Sequence, residues 1–166
     1  SVISAIVLGA GQQSTANDFG EVPAGRIAGR VWADNNDNGV IDSGEAGISG
    51  VTLVLTGTDD LGRAVSLSTT TVANGSYAFE GLRPGTYTVT EPTQPAGTLN
   101  GQTVAGSLGG TATAVGTTPS AISGIVLPPG GESVANNFAE IGLSPDLRVR
   151  KTHDGTIFTV GKDRKS

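Results

Sequence analysis

Apolar residues in the first half of this chain recur at every second position, in runs too short for a helix and parted by turn-forming residues. Val51, Leu53 and Leu55 share one parity, as do Tyr77 with Phe79 and Tyr87 with Val89. Alternate side chains of a strand face the same side, so each run reads as a strand with one buried face. Residues 26–33, around Ile27, Val31 and Trp32, and the Thr-rich stretch 63–72 read the same way. Leu82-Arg83-Pro84-Gly85 is a turn, with Pro84 presetting φ and Gly85 expected to take up positive φ. Asn74-Gly75 is a second, hairpin-type turn. Further strands are predicted at 102–106, 111–115, 122–127 and 133–138, and no amphipathic helix is found.

With 36% apolar and only 4% aromatic residues, the core must be built from Val, Ile, Leu and Ala, which suits a thin sandwich. There is no cysteine to staple it, and cysteine usage therefore does not identify the compartment. No stretch approaches 18 apolar residues, so no membrane span is predicted, and no signal peptide is visible. Residues 1–146 carry 13 acidic and 4 basic side chains, whereas residues 147–166 carry 2 acidic and 6 basic. An acidic body argues against nucleic acid as a partner and is compatible with bound cations or with solubility alone.

One segment occurs twice. Residues 3–22 (ISAIVLGAGQQSTANDFGEV) and 122–141 (ISGIVLPPGGESVANNFAEI) are identical at 11 of 20 positions without a gap, at an offset of 119. This spacing predicts three regions: 1–22, the closing strand of a preceding repeat; 23–141, one complete repeat; and 142–166, the start of a different, truncated module. Two similar hairpins within one domain and a disordered basic tail are the blander readings of the first and last regions.

Residues 34–45 read DNNDNGVIDSGE. Counting from Asp34, oxygen donors fall at positions 1 (Asp34), 3 (Asn36), 5 (Asn38), 9 (Asp42) and 12 (Glu45). Position 6 is Gly39, and position 7 offers the carbonyl of Val40. A hard cation takes six to eight oxygens, and alternating donors in a tightly wound loop supply them, with calcium favoured over the tighter octahedron of magnesium. The flanks are strand-like, so the expected role is to lock a sheet rather than to swing helices. A polar Asn/Asp/Gly turn that binds nothing is the structural alternative. Asp59-Asp60-Leu61-Gly62 reads first as a hairpin turn and second as a further calcium ligand.

The run GRVWADNNDNGVIDSGEAGISGVTLVLTGTDDLG, followed by TTTVANGSYAFEGLRPGTYTVTE, resembles the SdrD B-like repeats of bacterial surface proteins, which are related to collagen-adhesin B-type domains. The resemblance covers about residues 25–141. It implies an immunoglobulin-like, prealbumin-like β-sandwich with an EF-hand-like calcium loop between strands, strung in tandem outside a bacterial cell. By the same match, Asp34, Asn36, Asn38, Asp42 and Glu45 form the calcium loop. Related domains carry a Lys–Asn isopeptide cross-link, but here Lys151, Lys162 and Lys165 all lie beyond the repeat, which leaves calcium as the implied stabiliser. The acidic residue that family members commonly carry after the Thr run is absent at Val72-Ala73-Asn74.

The function expected is a calcium-stabilised spacer or stalk module of a large repetitive cell-surface or extracellular adhesin-type protein, with neighbouring repeats as partners. A ligand-binding adhesin module for a surface protein or glycan is the alternative. Strand exchange with another copy through residues 1–22 is a further expectation. Catalysis is not expected: the sole histidine, His153, lies outside the repeat, and no Ser–His–Asp set can be assembled within residues 23–141.

Overall fold

The computed structural model describes residues 2–143, in which ten strands and no helix form two five-stranded sheets. In the first sheet β1 (Gly25–Ala33) lies between β4 (Ser76–Leu82) and β10 (Asn137–Gly142). β6 (Thr98–Val104) forms the far edge, and the short β9 (Glu132–Ser133) pairs the start of β1. The second sheet runs β3 (Ala64–Thr70), β2 (Thr52–Asp59), β5 (Gly85–Glu91), β8 (Ser120–Leu127), β7 (Thr111–Ala112).

The parity read from the sequence decides what is inside. Leu53 and Leu55 of β2, Tyr77 and Phe79 of β4, Tyr87 and Val89 of β5, and Ile122, Ile125 and Leu127 of β8 are all buried in one cluster with Ile27, Val31 and Phe138. β3 is an edge strand rich in Ser and Thr, and it stays largely exposed. Trp32 has the opposite parity to Ile27 and Val31. It is fully buried but stands apart from that cluster, because the 34–47 loop folds over it.

The first and last strands are parallel neighbours: Val31 pairs Phe138 and Ala33 pairs Glu140. The chain therefore enters the sandwich at the Gly25 end of β1 and leaves from the opposite end of β10. The entry pole carries the 59–63 hairpin, the 82–85 turn and the 127–131 loop. The exit pole carries the 34–47 loop.

Two expectations are corrected. The strand predicted at 133–138 is broken into β9 and β10, because Ala135 adopts a φ of 61° and the Asn136 side chain bonds β1 across the gap. Gly85 does not adopt positive φ; Gly81, on the other side of the turn, does, at 70°. Glycine is required at 85 for space, since a Cβ there would run into the Thr58 carbonyl of β2. Boundaries also move: the strand expected at 102–106 spans 98–104, and that at 111–115 shrinks to two residues. Residues 2–24 form no strand, and most of the region 142–166 lies outside the described residues.

Candidate metal centre

The loop proposed to hold calcium leaves β1 at Asp34 and is stapled at its base. The Asp34 N–H donates to the Glu140 carbonyl of β10 at 2.9 Å. On the return, the Ala33 N–H donates to Ala46, and the Ile48 N–H to Val31, each at 2.9 Å. Between these anchors the chain turns sharply, with φ of 55° at Asp37 and 72° at Gly39. Gly39 packs on Gln102 of β6, where a Cβ would overlap the side chain. This is the sharp turn that the sequence assigned to position 6.

The side chains converge on the loop's own backbone. Asp34 is buried, and its carboxylate accepts the N–H groups of Asn38 (3.2 Å) and Gly39 (2.8 Å). Asp42 Oδ2 accepts the amides of Asn36 (2.9 Å) and Asn38 (2.8 Å), which hold its carboxyl below the usual carboxylate range. Glu45 Oε1 accepts the Asn35 N–H at 2.9 Å; its Oε2 accepts the Asp42 N–H at 3.0 Å and the Trp32 indole N–H at 3.2 Å. Val40 sits on the exposed rim with its N–H on Asn38 Oδ1.

All these donors are oxygens or can present one, which suits a hard cation. Asn36 and Asn38 turn their amide nitrogens to Asp42, yet an amide offers oxygen instead on a half-turn of χ2. Each carboxylate is engaged by N–H groups of the loop. Among the described residues, no three His, Asp or Glu side chains stand together as a metal cluster.

The SdrD B-like domain model matches residues 25–139. The chain belongs to the SdrD B-like domain family. Its relatives include serine-aspartate repeat-containing protein F of Staphylococcus epidermidis, 45% identical over 40% of this chain. Protein I of Staphylococcus saprophyticus is 45% identical over 43% of the chain, and protein D of Staphylococcus aureus strain Newman 45% over 40%. The chain spans only 4–5% of the length of these relatives. The full-length major pilin SpaD from Corynebacterium diphtheriae aligns with 78% of this chain and 34% of its own, at 18% identity and a TM-score of 0.43. That likeness is too loose to carry any argument.

Elsewhere in the SdrD B-like domain, the second candidate ligand set is engaged otherwise. Asp59 accepts the N–H groups of Leu61 and Arg63 and the Arg63 guanidinium, all within 2.9 Å. Burial pushes its carboxyl up, but these bonds outweigh it and leave the carboxyl below its ordinary range. Asp60 holds Arg83 with two bonds, at 2.7 and 2.9 Å. The 59–63 segment is thus the hairpin turn of the first reading.

Two ionisable residues were missed from the sequence: Glu91 and Glu140, both fully buried. A signal existed, since Glu91 continues the inward parity of Tyr87 and Val89.

Proposed function

We propose that this SdrD B-like domain is a calcium-stabilised structural spacer in a large, repetitive adhesin-type protein on a bacterial cell surface, flanked by further repeats of the same protein. The observation that carries this reading is the placement of the chain's entry and exit at opposite poles of two parallel, adjacent strands, β1 and β10. Tension along the protein then shears the β1–β10 ladder, loading its hydrogen bonds together instead of peeling them singly. A module of this kind extends the chain without needing any ligand.

The calcium part of the proposal rests on where the loop sits. It springs from the last residue pair of that ladder, with Asp34 bonded to Glu140, so whatever stiffens the loop stiffens the ladder's exit end. Asp34, Asp42 and Glu45 would hold the ion, and it would supply the positive charge that these three carboxylates lack. A ligand that binds only the native state stabilises it by RT ln(1 + [L]/Kd), about 2.7 kcal/mol at a hundredfold excess. For a sandwich with no disulfide and few aromatics, this is a large share of a typical net stability.

The adhesin-head alternative has less to support it. Trp32, Tyr77 and Tyr87 are 0%, 5% and 1% exposed, so none offers a ring face to a sugar. The family is one of surface repeat domains and not of enzymes.

The test is thermal unfolding of the 166-residue chain in excess chelator and in excess calcium. The expected result is a higher Tm with calcium, a smaller shift with magnesium, and loss of the calcium shift in Glu45→Ala. A Tm that ignores calcium up to roughly millimolar levels, the weak end of extracellular sites, removes the calcium part and leaves the spacer reading standing on its topology.

A further inference from the structure

Residues 2–24 pair with no strand of the sandwich, and all of them are exposed. They are nonetheless shaped. Displaced by 119 positions, they repeat the backbone of β8 to β10. Ala5 has a φ of 60° where Gly124 has 71°, Gly11 has 76° where Gly130 has 65°, and Ala16 has 59° where Ala135 has 61°. The Gln12 N–H donates to the Gly9 carbonyl at 3.1 Å, as the Gly131 N–H does to Pro128 at 2.9 Å. The Asn17 amide donates to the Ser14 carbonyl at 3.2 Å, as Asn136 does to Ser133 at 3.1 Å. Positive φ is uncommon for alanine, so its recurrence at Ala16 and Ala135 marks a specific conformation.

The side chains follow the same division. Eight positions of 122–141 are buried, and seven have an identical counterpart in 3–22; only Ala139, opposite Gly20, differs. Among the twelve other positions only Ser4, Val7, Gly11 and Ala16 match. Residues 3–22 therefore repeat the part of the pattern that fills a core, including Glu21 opposite Glu140. Yet Ile6, Leu8 and Phe19 are 48%, 54% and 53% exposed, where Ile125, Leu127 and Phe138 are at most 1% exposed.

These side chains cannot be buried in their own sandwich. Its closing position is filled by β8 to β10, and the connection forbids replacement. Val22 in the place of Ile141 would lie level with Asp34, one step beyond the Ala33–Glu140 pair. Gly25 is nine residues back along β1, roughly 30 Å at 3.3 Å per residue. The three residues from Val22 to Gly25 span at most about 11 Å.

We infer that residues 3–22 are the last three strands of a second sandwich of the same family, carried upstream in the same protein, which this segment completes before the chain runs through Pro23 and Ala24 into β1. The partner is thus defined by chemistry and shape. It is a sandwich body with counterparts of β1 to β7, and its open core takes Ile3, Ile6 and Leu8 on one sheet and Phe19 on the other. Its counterpart of Glu91 faces Glu21. The short connection stacks the loop pole of the upstream body on the Arg63–Arg83 pole of this one. The inference builds on the tandem arrangement of the proposed function and is independent of calcium.

The test joins residues 23–121 directly to residues 3–166, so that a surrogate upstream body precedes the segment in its natural linkage. Hydrogen exchange of residues 3–22 is compared with that in the 166-residue chain. A control in which residues 23–141 precede residues 23–166 shows the protection that full closure gives. In the joined chain, amides of the segment should slow by at least about a hundredfold, toward the protection of core strands. Ile6→Asp should abolish this while the downstream body melts unchanged. Exchange as fast as in the 166-residue chain, with control and downstream body folded, overturns the inference. A concentration-dependent dimer of the 166-residue chain with residues 3–22 protected also overturns it, assigning the segment to exchange between copies.

Discussion

Glu91 of β5 and Glu140 of β10 meet carboxyl to carboxyl between the two sheets, both without exposure to solvent. Glu91 Oε2 accepts the Ser120 hydroxyl at 3.1 Å, and Glu140 Oε2 accepts that of Thr98 at 2.9 Å. The other oxygen of each has no further donor among the described residues. Two buried carboxylates side by side repel, and burial disfavours the charge of each, so the pair favours keeping a proton between the sheets. Burial raises the Glu91 carboxyl. For Glu140, burial and then the charge of Glu91 push the value up to about 8.

Stability should therefore fall as pH rises through the neutral range. Below about 4.5, the ordinary glutamate value, both the native and the unfolded chain are protonated and the pair's contribution is complete. Between about 4.5 and about 8 the native state binds the extra proton, so stability declines at up to about 1.4 kcal/mol per pH unit for one proton. Asp42, Asp59 and Asp60 have lowered values, and their contribution is lost only on further acidification, outside this window. Tm measured without calcium from about pH 5 to pH 8 should drop steadily, and Glu140→Gln should flatten the slope. A flat profile in the unsubstituted protein would show that the pair carries no shared proton.

The sequence pattern made the strands of the first half legible because each has one wet face and one dry face. Leu53, Leu55, Tyr77, Phe79, Tyr87 and Val89 are all inside as their parity requires. The second half was harder to read, and the reason lies in Asn136. No local propensity announces that a buried asparagine will interrupt a strand and bridge it to β1 at a distance of 108 residues. The loop's sharp turn at Gly39 was legible from spacing alone, whereas the capture of the Asp34 and Glu45 carboxylates by backbone N–H groups was not, since those bonds depend on how the anchored loop folds back on itself.

Asn136 should be among the costliest polar positions to change. Its amide donates to the Ala28 and Ser133 carbonyls at 3.1 Å each, and its Oδ1 accepts the Gly106 N–H at 3.1 Å. Its own carbonyl accepts the buried Tyr77 hydroxyl at 2.7 Å and lies where Gly29 leaves no room for a Cβ. Removing one partner of a buried hydrogen bond costs about 1–3 kcal/mol. Tyr77→Phe should lose about that much by chemical denaturation, and Asn136→Ala should lose more, because several groups are orphaned at once. Equal and negligible losses would mean that the break between β9 and β10 is held by the backbone alone.

Trp32 makes the loop observable. It is the only tryptophan in the chain, it is fully buried, and its indole N–H rests on Glu45 Oε2. Glu45 is also position 12 of the calcium-loop pattern, where a glutamate binds the cation through both oxygens. The two roles compete for the same oxygen, so cation binding should weaken the indole bond and change the environment of the ring. Calcium added to the chelator-treated protein should give a saturable change in Trp32 emission that fits one site. Glu45→Ala should remove the response, since it deletes both the ligand and the indole's acceptor. Asp60→Ala should preserve it, since Asp60 is paired with Arg83 at the opposite pole. Emission that stays constant while calorimetry registers bound calcium would place the ion away from residues 34–45. Emission and calorimetry that are both silent would leave the loop as a turn closed by its own hydrogen bonds.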